Sequence, residues 1–264
     1  MKQPYSLKLL LCLAIFLAAA RDSDAQSEAR RSPVVVELFT SEGCSTCPPA
    51  DALLLKLEKE QSIAGTEVIA LELHVDYWNH QGWLDPFSSA DWTARQQVYM
   101  AAFKQDGEYT PQMVVDGRAQ FVGSRMNEAT QAIARAAREA KTKVEIVEEK
   151  SEKKDELRFR VEVGKLEGST NGDTAEIWLA VTERGLYSTV ERGENAGREL
   201  YHAAVVRQLR KIGTAGERQS PAFLTSAQMK LKPAWILKNL VVVAMIQEKK
   251  TRRILGASAL PLAR

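Results

Sequence analysis

Net charge is nearly absent from this chain: 36 Lys and Arg against 34 Asp and Glu leave a formal +2 over 264 residues. With the signs so closely balanced, no polyelectrolyte partner is implied, and the short basic clusters in "RQLRK" and "KKTRR" read as solvated faces, not a nucleic-acid surface. Cysteine is scarce, at 3 in the whole chain, which leaves one close pair of thiols and no second pair to complete a cysteine-rich zinc framework. No apolar run is long enough to cross a bilayer comfortably; the leucine-rich stretch near the start stops at Ala20. There is no Gly-x-Ser-x-Gly and no serine–histidine–acid triad. The glycine-rich "ERGENAGREL" lacks the Gly-Lys-Ser/Thr ending of a phosphate loop and reads as a turn between β elements. Fixed-period repeats and low-complexity linkers are missing as well.

What remains is 45% hydrophobic and 27% charged, enough for one large core or two ordinary ones. A lysine near the start, the short apolar run and the small residues after it form a secretory leader over residues 1–25, with cleavage expected after Ala25 or Ala20. The leader is the membrane contact expected, and the mature protein is expected to be secreted, into the periplasm. Cys12 would leave with it. Cys44 and Cys47 then stay behind in an oxidising compartment, where neighbouring thiols pair and remain paired.

The pair sits in "VELFTSEGCSTCPPAD", residues 36–51. As a clasp it would do little, because closing a loop of about four residues contributes roughly 2 kcal/mol and a core this large does not need it. As a redox couple its surroundings make sense. "VVVELFT" is a buried-strand run, and "PPADALLLKLEKE" is a helix with prolines in its first turn and Leu53, Leu54 and Leu57 on one face. Cys44 should therefore lie just ahead of a helix N-terminus, where the dipole and free N–H groups stabilise a thiolate. Cys44, the more exposed, is expected to attack and Cys47, in the first turn, to resolve the mixed disulfide.

Farther on, "TEVIALELHVDYW" reads as a strand, "SSADWTARQQVYMAAFKQDG" as a helix capped at Ser89 or Asp91, and "MVVDGRAQFVG" as a hairpin turning at Asp116-Gly117. "SRMNEATQAIARAAREAK" closes the unit as an alanine-rich helix. Cys44-Ser45-Thr46-Cys47 after the first strand and Thr110-Pro111 before the hairpin resemble the thioredoxin superfamily, with the β-α-β-α-β-β-α order closest to its glutaredoxin-like core. The resemblance implies an α/β thioredoxin-like fold, a cis Pro111 against the cysteines, and a Thr110–Pro111 segment that pairs with the substrate chain. "VVELFTSEGCSTCPPADALL", "HVDYWNHQGWLDPF", "YTPQMVVDGR" and "GENAGREL" together are similar to the uncharacterised secreted bacterial family catalogued as domain of unknown function number 1223, which has no established reaction.

Near residue 142 the composition changes to short strand runs separated by charged turns, from "VEIVEEK" to "RRILGASALPL", with one helix pattern, "YHAAVVRQLRKIG". This implies a thioredoxin-like domain over 26–142 and a mainly β, sandwich-like domain over 143–264. Glu37 is a candidate for the buried carboxylate that thioredoxin-like proteins place beneath their cysteines, although its spacing turns it to the other face of the strand. Glu42 reads as exposed. His74, Asp76, Tyr77 and Trp78 form a candidate site wall, with His74 and Asp76 spaced to pair along one face of a strand.

The expected function is extracytoplasmic thiol–disulfide exchange with Cys44, Cys47 and Pro111 at the centre, needing no cofactor beyond the Cys44–Cys47 disulfide and no metal for the fold. The partners are a thiol or disulfide protein or a small thiol. Two alternatives stay open: a copper-binding, metallochaperone-like protein using the thiols with His74 and His80, and a non-catalytic binding module on the same scaffold.

Overall fold

The structure, a computed structural model, describes residues 31–170, 172–215 and 223–262. The leader, with Cys12 and both cleavage positions expected for it, lies outside the described residues. Among the described residues no helix is long and apolar enough to cross a membrane.

β1 (Ser32–Thr40) and β2 (Thr66–His74) run parallel, joined by helix α1 (Pro48–Glu60). α1 accepts two prolines because its first turn has no use for their missing N–H groups. It buries Leu53, Leu54 and Leu57, as their spacing predicts. Helix α2 (Ala90–Phe103) starts at Ser89, whose side chain accepts from Asp91 N at 3.2 Å. β3 (Gln112–Val115) and β4 (Ala119–Val122) form a hairpin in which Asp116 and Gly117 both take positive φ, 47° and 60°, the conformation a two-residue turn of matching twist requires. Helix α3 (Met126–Ala136) follows.

The second half is strands: β5 (Val144–Glu149), β6 (Glu156–Val163), β7 (Ala175–Arg184), β8 (Tyr187–Thr189), β9 (Glu199–Tyr201), β10 (Ala204–Ala215), β11 (Phe223–Lys230), β12 (Leu240–Glu248) and β13 (Ile254–Pro261). Four of them join the first half in one eight-stranded sheet, ordered β13-β12-β7-β10-β2-β1-β3-β4. The seam is parallel and short, with Val205 opposite Glu72. The change of composition near residue 142 thus marks a change of pattern, while the sheet runs across it.

Three apolar layers cover this sheet. On one face, Val34, Val36 and Leu38 of β1 pack with the leucines of α1 and with Ala129, Ala132 and Ile133 of α3. Beyond the seam, β7 and β12 meet a smaller sheet, β11-β6-β5, through Ile177, Leu179, Val242, Ala244, Phe159 and Val161. On the opposite face, Val35, Phe39, Leu71, Val243 and Met245 lie against Trp92 and Tyr99 of α2. Alternate residues of one strand serve opposite layers, as the pleat requires.

One segment departs from its sequence pattern. "YHAAVVRQLRKIG" is not a helix; it supplies β10, paired antiparallel with β7 along its length. Register shifts at Val206/Gln208 and Lys211/Gly213 interrupt its alternation. Two bulges in twelve residues turn a period of two into something resembling 3.6.

Candidate active site around the Cys44–Cys47 disulfide

The chain leaves β1 at Thr40, turns through Ser41–Gly43, and enters α1 through a Cys44–Cys47 disulfide with a Cα–Cα distance of 5.4 Å. Cys47 is the N-cap residue of α1, and its carbonyl accepts from Ala50 N and Asp51 N at 2.8 and 3.1 Å. The N-terminal dipole of α1 therefore bears on both sulfurs. Cys44 Sγ lies 3.4 Å from Thr46 Oγ1, and Ser45 and Thr46 are exposed. Both cysteines are 0% exposed, contrary to the expectation that Cys44 is open to solvent. The "ERGENAG" segment is bonded to the backbone around the pair. Asn195 Nδ2 donates to Glu42 O and Cys44 O, each at 2.9 Å, and Ser45 N donates to Glu194 Oε2 at 3.1 Å. Trp78 lies against the same loop, where a Cβ on Gly43 would come 3.3 Å from Trp78 Cβ.

Beneath the loop, on the α1 side of the sheet, lies a buried polar network. Asp85 Oδ2 accepts from His74 Nδ1 at 2.7 Å and from Glu42 N at 2.8 Å. His202 bridges two carboxylates, with Nδ1 at 2.9 Å from Glu72 Oε1 and Nε2 at 3.0 Å from Glu42 Oε1. Glu42 Oε2 accepts from Trp83 Nε1 at 2.7 Å, and Glu72 Oε2 from Ala203 N at 2.5 Å. Burial alone disfavours charge on each group, but the partners outweigh it. The surrounding carboxylates raise His202 to about 9 and His74 well above the usual imidazole value. The histidines hold Glu72 down at about 2 and keep Asp85 low. Asp51, on α1 and bonded at 2.6 Å by Thr40 Oγ1, goes the other way: burial, then the nearby Glu72 charge, lifts it to about 7.

The other predicted residues fall in several places. Thr110–Pro111 is cis and Pro111 is buried, with Gly123 between it and the start of α1: a Cβ on Gly123 would lie 3.1 Å from Ala50 Cβ and 3.3 Å from Pro111 Cβ. Thr110 Oγ1 accepts from Trp78 Nε1 at 2.8 Å, which ties the loop before the hairpin to the loop that follows β2. Glu37 faces α2, where Arg95 Nε donates to it at 2.5 Å and Tyr99 hydroxyl donates as well. His74 and Asp76 do not pair. β2 ends at His74, so Asp76 lies beyond it and accepts from Thr93 Oγ1 at 2.6 Å. Tyr77 donates to Gln96 Oε1 at 3.2 Å, and burial pushes its hydroxyl up to about 12. Glu42 is buried, not exposed. His80 is exposed, and the group of metal-ligating side chains among the described residues that contains His74 includes neither cysteine.

Residues 35–247 match the family described as "Protein of unknown function (DUF1223)". The chain belongs to this family. Among solved structures, protein AGR_C_4864 from Agrobacterium tumefaciens is similar, with 27% identity and a TM-score of 0.63 over 88% of this chain and 95% of that one. HBP35 of Porphyromonas gingivalis shares 16% identity and a TM-score of 0.60 over 88% of this chain and 76% of its own, a likeness of fold alone. No curated protein matches the chain.

In this DUF1223 chain the site residues that local pattern missed are Asp51, Glu72, Asp85, Asn195 and His202. Asp51 stands one turn into a helix whose leucines dominate its pattern. Glu72 interrupts an apolar strand, a charge in a buried run that could have marked it. Asn195 and His202 come from some 150 residues downstream of the cysteines, and no local periodicity reports such a contact.

Proposed function

We propose that this protein is an extracytoplasmic thiol–disulfide oxidoreductase-like protein whose working group is the Cys44–Cys47 pair on a thioredoxin-like core. The observation that carries the reading is the disulfide itself, set between a buried strand and the first turn of α1. Three further features support it: the β1-α1-β2-α2-β3-β4-α3 order with strands arranged β2-β1-β3-β4, the cis Thr110–Pro111 bond beside α1, and a protonatable Asp51 one turn after Cys47. The place of action outside the cytoplasm rests on the leader in the sequence.

A partner thiolate attacks Cys44 Sγ, the Cys44–Cys47 bond breaks, and a mixed disulfide forms with Cys47 as the leaving thiolate. Asp51 and Cys47 are four residues apart, neighbours on one helix face, so the Asp51 proton can pass to that thiolate. The partner's second thiolate then attacks its own sulfur in the mixed disulfide and releases Cys44. The partner leaves oxidised and the protein reduced; a disulfide-bearing protein or glutathione disulfide reverses the exchange. Withdrawal of Asn195 and Glu194 has to precede attack, because Cys44 is covered.

That cover favours a second reading, a binding module in which the pair is a closed clasp. Trapping separates the two. Cys47→Ser should accumulate a mixed disulfide through Cys44 with a small thiol–disulfide reagent, and Cys44→Ser should not. If neither variant traps a partner while both stay folded, the exchange reading fails and the clasp stands.

A further inference from the structure

We propose that Glu72, His74 and His202 form a binding site for one divalent transition-metal ion, with Glu72 Oε1, His74 Nε2 and His202 Nδ1 as its ligands. The site needs none of the thiol chemistry above and is separate from it.

One ligand atom from each of the three residues lies within 4.8 Å of those of the other two. His202 Nδ1 is 2.9 Å and His74 Nε2 is 3.5 Å from Glu72 Oε1. Metal–ligand bonds of about 2.0–2.1 Å at tetrahedral angles place ligand atoms roughly 3.3 Å apart, so an ion fits among these three atoms with little movement. The position a proton holds between His202 and Glu72 is one that an ion can take.

Each outer atom is already oriented. His74 turns Nδ1 to Asp85 Oδ2 at 2.7 Å, and His202 turns Nε2 to Glu42 Oε1 at 3.0 Å. A carboxylate on the far nitrogen of each histidine is the arrangement that fixes tautomer and ring direction for metal ligation. These carboxylates are themselves held, Asp85 by Glu42 N and Phe87 N and Glu42 by Trp83 Nε1. Glu72 keeps Oε2 for Ala203 N and leaves Oε1 facing both rings. Against this satisfied outer ring, His74 Nε2 is buried and makes no hydrogen bond among the described residues. Its closest carboxylate is Glu72 Oε1, at 3.5 Å.

The strand supplies the geometry. Glu72 and His74 are two residues apart on β2 and so share a face. His202 arrives just ahead of β10, whose Val205 pairs with Glu72. Two imidazoles and one carboxylate suit zinc and its neighbours in the first transition row better than calcium or magnesium. Three protein ligands would leave the fourth position of a tetrahedral ion to a water molecule.

The test uses the mature chain with its disulfide intact, stripped by chelator and dialysed. Zinc titrated by calorimetry should bind at one equivalent, and cobalt(II) should give the visible bands of a four-coordinate nitrogen–oxygen site without a thiolate charge-transfer band. His74→Gln and His202→Gln should each weaken zinc binding by at least about a hundredfold, and Asp85→Asn, which removes no ligand, by roughly 10–100-fold. Absence of zinc binding at micromolar metal overturns the proposal. So does binding that survives both histidine substitutions, or a cobalt charge-transfer band abolished by Cys44→Ser. If the histidine variants fail to fold, the wild-type cobalt spectrum decides: four-coordinate bands of nitrogen and oxygen ligands support the site, and an octahedral or absent spectrum refutes it.

Discussion

Asp51 shows how burial lets a carboxyl group hold its proton to higher pH. Its folded value near 7 stands well above the 3.8 of an open aspartate. The folded state therefore binds a proton that the unfolded chain has released over the interval between them. The stabilising contribution is complete below about pH 3.8 and is lost as pH rises through about 7. Asp51→Asn should flatten the stability profile over that interval. At pH 8 it should be more stable than wild type, with roughly 4 kcal/mol as the ceiling, because a tenfold change in proton affinity is worth about 1.36 kcal/mol. Denaturant titrations of both proteins across the range would show it. A second prediction belongs to Asn195. Its amide holds the carbonyls of Glu42 and Cys44. Asn195→Ala removes two hydrogen bonds of about 1 kcal/mol each, so the disulfide should be reduced by a small dithiol up to roughly thirtyfold faster. An unchanged rate, followed by thiol quantification with time, would show that the segment does not gate the sulfurs.

At the scale of elements, the hairpin is where sequence and geometry agree most closely. Asp116-Gly117 is legible because a two-residue turn between apolar runs demands positive φ. The sequence does not reveal that Gly117 also touches the far end of the chain. A Cβ there would meet Arg252 O at 1.9 Å. Gly117→Ala is therefore expected to cost roughly 2–3 kcal/mol, combining backbone strain and overpacking, and thermal unfolding would measure it. The leucine face of α1 and the Ser89 cap of α2 were equally legible, because each is encoded within one turn of its own residues. β10 was not. Its bulges are set by pairing with β7, a partner that the local pattern does not name, and tertiary pairing overrode a helical period. The placement of Glu37 lies between these cases. The alternation of β1 predicts which face it takes, while Arg95 and Tyr99 become visible as its partners only when α2 is laid on the sheet.

Over the whole molecule, the eight-stranded sheet makes the two sequence patterns depend on each other. β10 lies between β7 and β2, so a chain cut at residue 142 would lose the strand that covers the β2 edge, together with Asn195 and His202. The mature protein should unfold in one step, with tryptophan fluorescence and far-ultraviolet circular dichroism giving coincident transitions. Two separated transitions would mean that the halves are stable apart. The same interdependence explains why the cysteine pair was legible and its surroundings were not. Cys44 and Cys47 announce themselves by spacing and by the helix after them, whereas the cover and the histidine–carboxylate network are assembled across the seam. The claim at the centre is that the Cys44–Cys47 pair exchanges electrons with other thiols. Its most direct test is the reduction potential of the mature protein equilibrated in glutathione buffers, with the two states separated by alkylation. Reversible equilibration between about −270 and −120 mV, the span of working oxidoreductases, is the predicted result, and a pair that stays oxidised until below roughly −300 mV would be a structural clasp and would contradict it.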